Sequence, residues 1–193
     1  MGLRDLLAGG AGRAGRAENI RHNGKKLSDI LDAHAKFHKG YPGGERADLS
    51  GADLSRQDFK KRDLTGAVMV GCNLKGADFR GAKLSFADLS KSDLRKADLR
   101  NCDFTETRLE GADLSEADLS GTELFRGDLR SAKLHKTILR GTVLRQANLR
   151  GADFSGSDLA LASFREIDLT DVKLDGADLS NAVVRDNKSN QTK

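Results

Sequence analysis

Aspartate is the residue of this chain best placed to do chemistry. In "ERADLSGADLS", residues 45–55, it recurs five residues apart, and the equivalent position holds Asp or Asn in 18 of 28 successive pentapeptides. Carboxylates brought close together can bind a cation or divide the work of acid and base. "HAKFH" adds His34 and His38, one helical turn apart and so a candidate metal pair. Two thiols, Cys72 and Cys102, complete the reactive groups. Each candidate has a plainer reading. A residue at a fixed address in every unit belongs to the unit, whereas catalysis needs a single unlike constellation. Asp and Asn also hydrogen-bond nearby backbone at bends. The histidines suit one surface of an amphipathic helix, and the cysteines stand where Ala usually does. The chain has no phosphate loop and no nucleophile motif. The expectation is a non-enzyme with no cofactor and no metal.

The frame around the Asp is a strict period of five. The central apolar position runs from Leu49 to Val184 in 28 registers without insertion, filled by Leu 21 times and Phe five times. Strands repeat their faces every two residues and helices every 3.6, so these leucines would circle a helix and face no core. Each pentapeptide must be its own unit, joined to the next by a turn. Two residues before the centre stands a small residue in 24 of 28 units, and residues two apart on an extended segment point the same way. Two residues after the centre stands Gly in 11 units, as at a corner. The expectation is an all-β solenoid, its coils stacked ~4.8 Å apart with leucines in columns inside. Aromatics at 5% and the absence of Trp fit a narrow interior of small residues.

"ADLSGADLS", "GADLSEADLSG" and "QANLRGADFSG" resemble the pentapeptide repeat family, whose A(D/N)LXX signature covers residues 47–186. The resemblance implies a right-handed quadrilateral β-helix of about seven coils, four repeats to a coil. It also implies a short N-terminal capping helix, for which "KLSDILDAHAKFHKG" has the apolar spacing, Ser28 as N-cap and Gly40 as C-cap, giving a cap at 27–40. The basic Gly/Ala/Arg-rich segment 1–26 and the tail 187–193 are expected to be flexible. On a four-sided coil Cys72 and Cys102 lie on opposite walls. Bulky residues replace the small one at Gln57 and Arg62 near one end and at Ile167 and Val172 near the other, as terminal repeats should show. Ile167, Val172 and Val184 are therefore a candidate end or homodimer surface.

Charge supplies the remaining signals. The repeat region carries 22 Lys and Arg against 24 Asp and Glu. Acids cluster from Glu110 to Glu123 and bases from Arg126 to Arg150. With twenty residues to a coil, Glu106 stacks on Arg126, Glu110 on Arg130, Asp113 on Lys133 and Glu116 on Lys136, so most of the belt neutralises itself. Arg140, Arg145 and Arg150 have no acid in their own columns; Arg130 stacks on Arg150, and Arg145 on Arg165. Either neighbouring Asp columns absorb that repulsion or the rod shows basic stripes to a partner. Phe86, Phe125 and Val143 share one face as an apolar candidate. These residues define the expected surface for an unknown protein partner. The alternative implied by the family is a DNA mimic binding a type II topoisomerase such as gyrase, which the near-neutral repeat opposes; binding to nucleic acid is not expected. No apolar run reaches the roughly 18 residues of a membrane span. A cytoplasmic location is expected, with a secreted effector the other possibility the family allows.

Overall fold

The computed structural model describes residues 20–185. Its logic is visible in one unit, Asp48 to Ala52, where the N–H groups of Leu49 to Ala52 each find an acceptor. The N–H of Leu49 reaches the carbonyl of Val68 at 2.7 Å and that of Gly51 reaches Val70 at 2.9 Å, both on the next coil. The N–H of Ala52 closes a turn on the carbonyl of Leu49 at 3.0 Å. One position further up, the N–H of Val68 points back to Ala47 at 2.9 Å. That leaves the N–H of Ser50, which no coil reaches, and it donates to the carboxylate of Asp48 at 3.0 Å. Orphaned backbone donors are costly, and the recurring Asp supplies the missing acceptor. The same bond recurs at Asp53, Asp58, Asp63, Asp88 and onward to Asp178.

The residue after the Asp-bound one takes the left-handed conformation at nearly every unit from Gly51 to Asn181, with Asp171 the exception. This is the corner. Parallel bridges join nearly every Asp position to the residue twenty further on, from Asp48 with Val68 to Asp158 with Asp178. Twenty residues make four pentapeptides and four corners, so the coil is four-sided. We number its faces from the chain order of their central residues: the first carries Leu49 and Met69, the second Leu54 and Leu74, the third Phe59 and Phe79, the fourth Leu64 and Leu84. The inward columns are almost wholly buried. Phe59 and Phe79 stack with ring centroids 4.7 Å apart.

Small inward residues that are not Ala do a second job. Thr107, Thr122, Thr137 and Thr142 donate their hydroxyls to the carbonyls of Leu84, Leu99, Leu114 and Leu119 on the coil below. Cys72 and Cys102 do likewise to Leu49 and Phe79, each at 2.9 Å, and both are free thiols.

The two ends differ. Before the coil lie β1 (Arg21–His22) and β2 (Lys25–Lys26), an antiparallel hairpin whose loop residues Asn23 and Gly24 both have positive φ, as a type I′ turn requires. The hairpin delivers the chain into α1 (Leu27–His38). The N-cap is Lys26 without a side-chain cap bond, in place of the expected Ser28: the hairpin itself supplies an acceptor, the carbonyl of Ile20, to the N–H of Leu27 at 2.9 Å. At the other end of α1, Gly40 and Tyr41 donate back to Phe37 and Lys36, a Schellman closure with Gly40 at φ +66°. The chain then crosses α1 so closely that a Cβ on Gly44 would lie 2.4 Å from the backbone of Phe37. Leu27, Ile30 and Leu31 are buried within the continuous core, and His34 is buried beside them. Among the described residues the C-terminal end has no such cover. There β3 (Ser163–Arg165) pairs in parallel with β4 (Val183–Arg185), Leu169, Val172 and Leu174 are only half-buried, and Leu179 and Val184 are 39% and 53% exposed. Ile167 is buried beneath them. The leader 1–19 and the residues from 186 on, including the expected tail, lie outside the described residues.

Candidate functional site

The arginines singled out by sequence fall on different faces. Five residues is one side of the coil, so Arg140, Arg145 and Arg150 occupy the third, fourth and first faces in turn. They form a belt at one level and share no face. Each also finds a carboxylate that its own column lacks. Arg140 pairs with Asp158 at 2.5 Å, Arg145 with Glu166 at 3.1 Å and Arg150 with Asp171 at 3.7 Å. The guanidinium reaches sideways as well as up, and column-by-column reasoning omitted that diagonal. Arg130 is gripped by both oxygens of Asp128 and by Glu110 at 3.0 Å. Arg80, Arg95 and Arg100 fork in the same way onto Asp78, Asp93 and Asp98. These guanidinium bonds hold the carboxyls of Asp93 and Asp128 below the usual carboxylate range. The Asp columns thus absorb the repulsion between stacked arginines. Glu106 meets Arg126 at 3.9 Å, while Glu116 takes Lys96 below it at 3.3 Å in place of Lys136 above.

The fourth face is different. Its Asp column reads Asp63, Lys83, Asp103, Glu123, Val143, Ser163, Val183, and the neighbouring outward column reads Thr65, Ser85, Thr105, Phe125, Arg145, Arg165, Arg185. Acids and hydroxyls fill the lower half; valines and arginines fill the upper. Glu123, packed over Asp103, is pushed up in pKa by burial and by that neighbouring carboxylate. Above it, Arg165 and Arg185 are register partners, and neither makes an ion pair among the described residues. Nowhere else in the described coil do two directly stacked arginines both lack a carboxylate.

Apolar residues border this same face. Phe86 and Leu161 sit at its two corner columns with φ of +60° and +62°, and are 58% and 63% exposed. Left-handed backbone at a large side chain is strained; other described corners hold Gly, polar or charged residues. Phe125 lies between, with Arg126 and Arg145 over its ring at 4.9 and 5.7 Å. Among the described residues it makes no ring contact with Phe86. Val143 is half-buried, and Ile138, round the corner, is 40% exposed. Below Phe125 a shallow groove of about 480 Å³ runs past Phe86 between Arg46, Arg108, Arg126 and Asp88, Glu106, Asp128, its charges already paired across Arg108–Asp88 and Arg126–Glu106. Sequence reading passed over Leu161, Val183 and Arg185. The signal for Leu161 was there: it stands at a position that elsewhere tolerates Gly, Asn or charge.

The histidine pair belongs to the cap. The Nδ1 of His34 accepts the N–H of Ala47 at 3.1 Å, and its ring meets that of His38 edge-on at 4.7 Å. His38 in turn bonds the carbonyl of Thr65. No cluster of three metal-ligating side chains exists among the described residues.

With this geometry in hand, a family model described as pentapeptide repeats matches eight copies, spanning residues 47–85, 63–95, 82–121, 128–165 and 147–186. The chain belongs to the pentapeptide repeat family. Among solved structures it is similar to HetL, a pentapeptide repeat protein involved in heterocyst differentiation regulation in the cyanobacterium Nostoc sp. strain PCC 7120. That pair is 27% identical with a TM-score of 0.48, covering 72% of this chain and 77% of HetL. Full-length QnrB1, a plasmid-mediated fluoroquinolone resistance protein, is 24% identical with a TM-score of 0.36, covering 72% and 84%. A pentapeptide repeat protein of the Arabidopsis thaliana thylakoid lumen is 31% identical with a TM-score of 0.25, covering 56% and 66%. No curated protein matches the chain.

Proposed function

We propose that this pentapeptide repeat protein is a cytoplasmic, non-enzymatic scaffold that binds another protein across its fourth face. The reading takes the coil as right-handed with about seven turns, 28 pentapeptides at four to a turn. One observation carries it: two large apolar side chains, Phe86 and Leu161, stand exposed on strained backbone at the corners of a single face. Strain that the local sequence could relieve with Gly persists where something else uses the side chain. Many of the lattice's carboxylates are occupied as turn acceptors and arginine partners, which supports a non-enzymatic reading. Burial also pushes the thiols of Cys72 and Cys102 up to about 11 and about 12, far from a reactive thiolate. The same occupancy weighs against DNA mimicry: a mimic needs free negative charge along its length, and here Asp78, Asp93, Asp98 and Asp128 are forked by arginines. No helix among the described residues is long and apolar enough to cross a membrane.

The test is an affinity capture from host lysate with wild type and the Phe86→Asn/Leu161→Gly double variant as baits, read by mass spectrometry. Both replacements suit left-handed backbone, so the variant stays folded. A protein retained by wild type and lost by the variant is the expected result; retention of the same proteins by both would overturn the assignment to this face.

A further inference from the structure

Resting on that reading, we infer that the partner element is an amphipathic helix with an acidic stripe, laid along the coil axis on the upper half of the fourth face. Three observations converge. Arg145, Arg165 and Arg185 form a vertical ladder, set by the pairing of Val143 with Ser163 and of Ser163–Arg165 with Val183–Arg185. Only Arg145 of the three has a carboxylate among the described residues. Elsewhere the described coil supplies each stacked arginine with an aspartate, whereas no described residue compensates the charge of these two rungs. Beside the ladder, Val143 and Val183 replace the Asp column, and Leu161 stands exposed at the corner. The surface is therefore basic along one line, while the next carries two valines with Ser163 between them and Leu161 at its side.

Spacing selects the secondary structure of the ligand. The rungs repeat every ~4.8 Å. A helix presents successive residues of one stripe every ~5.4 Å, one turn, so across three rungs the mismatch is only about 1.2 Å, within the reach of a guanidinium. An extended strand presents same-side residues every ~6.7 Å, and its mismatch grows to about 3.8 Å over the same rungs. A helix with Glu or Asp on one stripe and Leu or Val on the adjacent one matches both lines of the surface. A nucleic acid duplex matches neither. Three cations fall short of the roughly 6–10 phosphate contacts of a typical duplex binder, and Glu123 and Asp103 continue the adjacent column below Val143 on the same face.

The experiment uses the full chain and a synthetic helical peptide of about 18 residues, with Glu at helical spacing beside a Leu stripe. A scrambled peptide of equal composition and a DNA duplex serve as competing probes, all followed by fluorescence anisotropy at low and physiological salt. Wild type is expected to bind the patterned peptide in preference to both. The Arg145→Glu/Arg165→Glu/Arg185→Glu variant, with unchanged circular dichroism, should bind it on the order of 30-fold more weakly. Failure of wild type to bind the patterned peptide, equal binding by the variant, or tighter binding of the duplex would each overturn the inference. A lysate partner lost with Phe86→Asn/Leu161→Gly yet kept by the arginine variant would sink this inference alone and leave the scaffold reading standing.

Discussion

His34 is fully buried against the first coil, and its environment fixes its protonation state. Because Nδ1 accepts the N–H of Ala47, the neutral ring carries its proton on Nε2, which has no partner among the described residues. A second proton would set two donors against each other. Burial, together with His38 nearby, holds its pKa below the ordinary 6.5, with Asp63 opposing and Arg46 adding slightly. The unfolded chain therefore takes up a proton below pH 6.5 that the folded chain resists. Cap stability is complete above that pH and declines as pH falls below it. Thermal melts between pH 7.5 and 5.5 should show a steeper loss for wild type than for His34→Gln, whose amide oxygen can still accept from Ala47; parallel curves would refute the account. At this scale the Asp was legible from sequence, because a residue repeated in every unit must serve the unit. His34 was not: helical spacing placed it on a face but could not say that its ring would serve as an acceptor for a distant N–H.

Corners are where the elements of this molecule record choice. Gly, Asn and charged residues at the left-handed position are cheap or solvated, whereas Phe86 and Leu161 carry both strain and exposed apolar surface. Replacing Leu161 with Gly should raise stability by about 0.5–1 kcal/mol, the relief of backbone strain exceeding the entropy that Gly adds to the unfolded chain. Denaturant melts check this, and destabilisation would show that Leu161 packs within the chain. The corners themselves were legible from the Gly column. The hairpin was not read, although "HNGK" carries the Asn-Gly pair that favours a two-residue turn; the Gly/Ala/Arg-rich stretch before it drew attention away. The N-cap slipped by two residues, from Ser28 to Lys26, for the same cause, since the hairpin had already met the need for a cap. The diagonal reach of arginine, which dissolved most of the expected basic stripes, depends on side-chain length and lies beyond a column count.

At the scale of the whole molecule, stability is a sum of nearly identical stacking steps. Leu114→Ala, in a fully buried column, should cost about 3 kcal/mol through the cavity it leaves. Leu179→Ala occupies the same kind of position in the last coil but is 39% exposed, and should cost under about 1 kcal/mol. A Leu179→Ala penalty that grows with protein concentration would instead show that a second copy covers that end. Coil period, inward columns and distinct ends were all written in the sequence, because a strict repeat leaves one self-consistent packing. Which face binds was only partly written, since it depends on which side chains the lattice leaves unsatisfied.

The covered end is also the end that is made first. A chain emerging from the ribosome has made the residues of its hairpin and helix before those of the first coil, and each later pentapeptide then has the one twenty residues earlier to stack on. Assembly in this molecule has a direction, running from the first residues synthesised to the last, with no need to wait for the whole chain.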